Sequence, residues 1–395
     1  MWTTAFDRRT LLQLIAGAAV AGVPRISRAA RERIVIAGGG IIGANLAYRL
    51  AKRGAQVTLV ERTRPGSGAT ANSFAWINAT YSKQPFAYFQ LNRLGIEAWQ
   101  QLDRELPGQL PLRWGGSLEW YGDQKRAAQF GAEIRHHQAW GYPAHVIDEA
   151  ALRALEPRIQ PGPVAIAAHA ELEGSVDPVL VTEVLLERAK REGARLVYPA
   201  AVTGLAERDG RLRAVRTDAG DFEADVLIVA CGTETPRVAA MAGIRVPLKD
   251  SPGVLVHTPP QPRLVERVVL SPLAHLKQKP DGRIVTGSGF GGSPTTTADR
   301  ATGEKFLKTA SQVLPEFAKM DVEKVTLGWR PLPQDEFPIV GFPPNRRDVY
   351  ITVMHSGVTL SPLIARLASI EILDGVDVEP LAPYRVGRFN TSTGR

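Results

Sequence analysis

Ile34-Val35-Ile36-Ala37-Gly38-Gly39-Gly40-Ile41-Ile42-Gly43, followed by Glu61, decides the reading of this chain. Four apolar residues predict a buried strand. Gly38, Gly40 and Gly43 fit G-x-G-x-x-G. Ala44 to Arg53 reads as a helix, and Gln56 to Val60 as the next strand, ending at Glu61. Gly38 permits a tight strand-to-helix turn. Gly40 lets the backbone approach a pyrophosphate, and Gly43 allows close helix–strand packing. The helix N-terminus, at Ile41 and Ile42, offers N–H groups to phosphates. Glu61 lies 23 residues after Gly38, where a carboxylate can hydrogen-bond ribose hydroxyls. The glycines alone would be a weak signal. With strand, helix, second strand and acid in order, they point to a dinucleotide. A carboxylate repels a 2′-phosphate, which disfavours NADP. FAD and NAD both stay open from this motif.

Residues 1–30 read as a leader rather than as part of the fold. Arg8-Arg9 precede an apolar run from Leu11 to Val23, then Arg25, Arg28 and Ala29-Ala30. This is the order of a signal peptide with a small-residue cleavage site. The paired arginines favour the twin-arginine route, which exports folded proteins. A periplasmic or otherwise exported protein is therefore expected. The alternative is an N-terminal tail or membrane anchor. No later segment is apolar enough to span a membrane.

The 395 residues suffice for two domains or one large one. The net charge of +8 includes four leader arginines against Asp7, leaving a mildly basic mature chain. No lysine- and arginine-rich block with interleaved aromatics suggests nucleic-acid binding. The single cysteine, Cys231, excludes an internal disulfide and a multi-cysteine metal site. The seven histidines lack metal-ligand spacing, so no metal is expected.

Past Glu61, the loop from Arg62 to Ser73 is rich in glycine and hydroxyl residues, which can supply donors to phosphate oxygens. Helices are predicted over Pro85–Leu102, Asp123–Ala139, Pro178–Glu192 and Thr302–Leu314. Asp177 is the expected cap of the third. Strands are predicted over Arg195–Tyr198, Ala201–Glu207, Arg211–Thr217 and Phe222–Val229, with Asp209-Gly210 as a hairpin turn. Further strands span Gly253–His257, Val268–Leu270, His275–Lys279 and Arg283–Gly287. Ser361 and Pro362 read as cap and first turn of a closing helix to about Leu373. The fold class is α/β: a Rossmann-like nucleotide-binding domain from residues 31–115, 165–245 and 326–395. An inserted antiparallel-sheet substrate domain takes residues 116–164 and 246–325.

Together these motifs resemble the D-amino-acid oxidase superfamily of FAD-dependent oxidoreductases, which includes glycine oxidase and sarcosine oxidase. The resemblance runs from about Arg33 to Phe389. Its carriers are the glycine motif with Glu61, Gly66-Ser67-Gly68-Ala69-Thr70 with Ser73, and Val226 to Gly232. Gly328-Trp329-Arg330-Pro331 with Asp335 and Pro338 to Gly341, and His355-Ser356-Gly357, complete the set. It makes FAD much the better cofactor. It implies that Val202 meets the adenine and that Cys231 and Gly232 lie beside the adenosine. It also implies that the N–H groups of Gly357, Val358, Thr359 and Leu360 face the flavin pyrimidine. No cysteine stands near Gly328 to Pro331, where some members tether flavin covalently, so non-covalent FAD is expected. Gly287 to Asp299 lacks the lysine that promotes oxygen reaction in sarcosine-oxidase-like members. A quinone or other carrier thus stays open beside oxygen.

Arg330 is, by the resemblance, the clamp for a substrate carboxylate, and its planar guanidinium suits that task. A structural pairing with Asp335 is the alternative. His355 would assist near the flavin or touch substrate; a histidine satisfied by backbone is the plain reading. His275, Lys277 and Lys279 alternate, so they would share one strand face. That face is either the substrate cavity or solvent. Trp76 and Trp329 are cavity-wall candidates or simple core. The implied reaction oxidises the C–N bond of an amino acid or N-substituted amino acid by hydride transfer to flavin N5. A 2-hydroxy acid dehydrogenase, a non-catalytic flavin-binding subunit and an NAD dehydrogenase are the competing readings.

Overall fold

The computed structural model describes residues 32–81, 83–287 and 295–389. The leader and its twin arginine lie outside them. The opening strand, Arg33–Ala37, occupies the middle of a six-stranded sheet ordered 339–341, 349–353, 226–229, 33–37, 56–60, 195–197. All neighbours pair parallel except Ile339–Gly341 with Val349–Val353. The strands Val226–Val229 and Val349–Val353 are buried on both faces and so read as largely apolar runs. Ile34 and Ile36 face one core cluster, which includes the helices Ile41–Lys52 and Gly357–Leu373. Val35 and Ala37 face another, which includes Val215 and Val238.

The chain leaves the central strand toward Gln56–Val60, then returns on its other side at Val226–Val229. The carboxyl ends Ala37, Val60 and Ala230 therefore open a crevice where an α/β sheet binds its ligand.

An eight-stranded sheet stands beside the first, ordered 324–329, 252–257, 284–287, 275–278, 268–270, 117–121, 166–170, 144–147. Its pairs are antiparallel except 268–270 with 117–121. Ile166–Ala170 and Lys324–Trp329 both belong to this sheet, so it reaches slightly beyond the ranges read as the inserted domain. Asp209 and Gly210, with φ of 54° and 70°, form the expected two-residue turn, closed by Arg208 opposite Arg211.

The opening helix starts at Ile41 rather than Ala44, and three further readings change. Phe222–Val229 is two strands: Gly220–Glu223 joins an antiparallel sheet and Val226–Val229 the parallel one. The break is at Asp225, whose carboxylate takes the Arg33 N–H and Nε at 3.0 Å each and pins the corner. The helix predicted over 302–314 runs Arg300–Ala310, because Asp299 caps it through the Thr302 N–H at 2.7 Å.

The closing helix begins at Gly357, not Ser361, and holds Pro362 inside. A proline there leaves the Val358 carbonyl without its usual donor. Trp99 Nε1 fills that place at 2.8 Å, assisted by Ser361 Oγ at 3.1 Å.

Candidate active site

A long cavity of about 320 Å³ runs from Val202, Cys231 and Glu61 at one end to His275, Arg330 and Lys83 at the other. The glycine turn sits at its middle. Gly38 has φ +109°, and a Cβ on it would stand 2.3 Å from the Ala230 carbonyl oxygen. A Cβ on Gly43 would stand 2.0 Å from the Gly38 oxygen. Both positions thus admit only glycine, one by conformation and contact, the other by packing.

Glu61 ties the turn together: Oε2 accepts from Gly39 N–H at 2.8 Å and Oε1 from Thr63 N–H at 2.9 Å. A carboxylate has lone pairs left for ribose hydroxyls. Thr70 Oγ1 accepts the Ile41 N–H at 3.1 Å, so its own proton can point outward. Gly68, Ala69, Thr70 and Ser73 all line the cavity, as do Gly40, Ile41 and Ile42. Arg62 also lines it and pairs with Glu234 at 3.1 Å. Val202 and Gly232 reach the same end, and the Val202 carbonyl accepts from Arg237. Cys231 donates to the Ala37 carbonyl at 3.2 Å, and burial pushes its thiol up to about 12.

At the far end, Gly357, Val358 and Thr359 open the closing helix and line the cavity. Their N–H groups are among the first of the helix and have no partner within it. Leu360 differs from its expected role. Its N–H donates to the Ser356 carbonyl at 3.0 Å, and its side chain is buried in the core. It is the first residue to close a turn, so it has no N–H left for a ligand.

Arg330 is half-buried, and Nη1 donates to the Pro252 carbonyl at 2.7 Å and Ser251 Oγ at 3.3 Å. Asp335 is taken by Arg388, so the alternative pairing does not occur. No ion pair joins Arg330 to a carboxylate of the described residues. Gly253 makes room for the guanidinium, since a Cβ there would meet Nη2 at 2.8 Å. His355 lines the cavity, and its pKa is pushed down to about 3, by burial first and then by Lys83 and Arg330. His275 lines it too, edge-on to Phe74, and burial drives its pKa down to about 4.

Lys277 is not among the lining residues. Its buried ammonium donates to the Val176 carbonyl at 2.7 Å and the Ala75 carbonyl at 3.4 Å. Lys279 lies beyond the strand end and pairs with Asp177 at 2.6 Å. The alternation in sequence is real, but only its His275 end reaches the cavity, and the two lysines pack against protein. Trp76 and Trp329 both wall the cavity, Trp76 buried and Trp329 43 % exposed.

Lys83, Asn78, Tyr81 and Thr352 line the cavity unannounced by any motif. Asn78 Nδ2 faces the Trp76 carbonyl at 3.4 Å, which turns Oδ1 the other way. That Oδ1 and Thr352 Oγ1 are buried and have no partner among the described residues. Buried polar atoms normally have partners. These two suit a group that brings its own donors and acceptors, as the rim of an isoalloxazine does. The residues present therefore fit FAD: Glu61 and Val202 would serve the adenosine, the 38–43 turn and Thr70 the pyrophosphate, and 357–359 the pyrimidine. No group of three or more His, Cys, Asp or Glu among the described residues could hold a metal ion. No helix among them is long and apolar enough to cross a membrane.

Comparison with known proteins agrees with this geometry. The profile of the family described as FAD dependent oxidoreductase (DAO) matches residues 33–369. The hydrogen cyanide synthase subunit HcnC of Pseudomonas protegens is 27 % identical over 418 residues, covering 91 % of this chain and 96 % of that one. Glycine oxidase of Geobacillus kaustophilus is 25 % identical over 380 residues, covering 92 % and 99 %. The crystal structure of L-proline dehydrogenase from P. horikoshii superposes with a TM-score of 0.82 at 24 % identity, covering 92 % and 99 %, a likeness of fold. The chain belongs to the DAO family of FAD-dependent oxidoreductases.

Proposed function

We propose that the protein oxidises the C–N bond of an amino acid or N-substituted amino acid. The observation that carries this reading is Arg330, a half-buried guanidinium in the cavity with no acidic partner among the described residues. One edge of it is held by Ser251 and Pro252, so its remaining N–H donors are pre-oriented for a carboxylate. A clamped carboxylate places the α-carbon toward the loop 355–359. His355 stays neutral at working pH and so offers one N–H and one lone pair. Against a substrate ammonium it is far too weak a base, and its part is to orient the amine. Phe74, Trp76 and Tyr81 keep water from the reacting end. Bound FAD supplies the sink for the two electrons and the hydrogen that leave the α-carbon. The resulting imine hydrolyses to a keto acid and ammonia, or to an aldehyde and a smaller amine. The relative named glycine oxidase supports an amino-acid substrate.

Oxygen or a quinone-type carrier would take the electrons onward. We further propose that Arg8 and Arg9 belong to a leader that exports the enzyme by the twin-arginine route. Fractionation of cells making the chain with Arg8 and Arg9 changed to lysine tests that placement, which fails if export is unaltered.

Anaerobic mixing of the holoprotein with D-amino acids, N-methyl amino acids and 2-hydroxy acids tests the reaction. Bleaching of the flavin band by the nitrogen compounds is expected. Bleaching by hydroxy acids alone would replace this reading with the 2-hydroxy acid dehydrogenase.

A further inference from the structure

The substrate end of the cavity holds a second cation that the clamp does not use. Lys83 is 5 % exposed and lines the cavity. Its ammonium donates to Ser356 Oγ at 2.6 Å and stands 5.2 Å from the centre of the Tyr88 ring. Ser356 also bonds Tyr88 Oη at 2.9 Å. No ion pair joins Lys83 to a carboxylate of the described residues. The acids lining the cavity, Glu61 and Glu234, sit at its nucleotide end, occupied with Gly39, Thr63 and Arg62.

Burying an ammonium without a counter-charge is costly. Here the cost is compounded. Ser356 is the N-cap of the closing helix, and that end of a helix carries partial positive charge. The fold thus places Lys83, a helix N-terminus and Arg330 around one space. His355 feels both side-chain charges, which puts the two cations within electrostatic reach of a single ring. One monocarboxylate on Arg330 leaves Lys83 uncompensated.

We infer that the substrate carries two carboxylates, one for Arg330 and one for Lys83, as in a secondary amine with a carboxylate on each arm or an amino dicarboxylic acid. This deepens the proposed reaction and rests on Arg330 as the first clamp. The competing use of Lys83 is to offset negative charge on the flavin pyrimidine.

Two redox-inert probes separate these: methylthioacetate, with one carboxylate, and thiodiacetate, with two. Each is titrated into the holoprotein and followed by its perturbation of the flavin visible band. Thiodiacetate is expected to bind at least about tenfold tighter, the yield of one further charge-assisted contact. Lys83→Met should bring the ratio of the two dissociation constants toward one, and Lys83→Arg should restore part of it. Equal binding of the two probes by the parent protein overturns the inference, whether or not the variant retains flavin. A Lys83→Met variant that keeps the ratio and loses only affinity for sulfite assigns the charge to the flavin instead. If Arg330→Met leaves methylthioacetate binding intact, the carboxylate clamp itself fails, an outcome distinct from either result at Lys83.

Discussion

Arg388 grips Asp335 with two parallel hydrogen bonds, Nε to Oδ2 at 2.7 Å and Nη2 to Oδ1 at 3.0 Å. Asp335 is only five residues from Arg330 in sequence, and Arg388 takes the acid that could have neutralised it. The carboxyl-terminal segment thereby keeps a guanidinium in the cavity available to a ligand.

Arg330→Met is therefore expected to raise the dissociation constant of a carboxylate ligand about 10- to 100-fold, the range of a lost charge-assisted pair. Arg330→Lys should recover only part, because a point charge lacks the fork. Flavin content should be unchanged in both. Titration of the flavin band measures it, and equal affinity in Arg330→Met would remove Arg330 from the site.

Gly38→Ala and Gly43→Ala are expected to abolish flavin retention. The added methyl would overlap backbone oxygen at 2.3 Å in one and 2.0 Å in the other. Neither backbone can move without disturbing the central strand. The ratio of visible to ultraviolet absorbance after purification checks this.

Cys231 should neither hold flavin nor react with alkylating agents at pH 8. Its thiol is half-buried on the cavity wall, bonded to Ala37 and pushed up to about 12, so almost no thiolate forms. Acid precipitation is expected to leave all flavin in the supernatant. Iodoacetamide should label the protein only after unfolding, as read by mass spectrometry.

His257 gives a pH test of stability away from the cavity. Burial first, then Lys279, Lys324 and Lys277, drives its pKa down to about 4. The folded state holds its proton less tightly than the unfolded chain does. Its stabilising contribution is full above pH 6.5 and is lost as pH falls toward 4. His257→Gln should gain stability relative to the parent over that window, on the order of 2 kcal/mol by pH 4. Paired melting curves at pH 8, 6 and 4.5 report it, and a constant difference would contradict the burial argument.

Lys277→Met should leave substrate-driven flavin bleaching unchanged, since its ammonium serves the Val176 and Ala75 carbonyls. The folded pKa is pushed down to about 7 by burial, so the contribution is full above 10.5 and lost as pH falls through 7. The variant should therefore compare most favourably with the parent below pH 7. A large kinetic defect would return Lys277 to the site.

The nucleotide end of the site was legible in sequence because its requirements are local. Gly38 must turn where a side chain would strike Ala230, and Glu61 ends a strand that pairs with the first. Asp177 beside Pro178 announced its own helix. The closing helix was misplaced because Pro362 looked like a beginning. Its missing N–H is replaced by Trp99, some 260 residues earlier, which no local pattern can indicate. Likewise Asp225 divides the stretch read as one strand through a partner at Arg33.

By itself, then, the order of residues determined the parallel sheet, the dinucleotide turn and the family, since strand periodicity, glycine conformation and capping act over a few neighbours. Tertiary structure decided which charges meet the ligand. It turned Lys277 into a support, buried Lys83 in the cavity, and took Asp335 from Arg330. Burial and pairing depend on segments 53 to 273 residues apart, and the energy of a charge is set by what the finished fold puts around it.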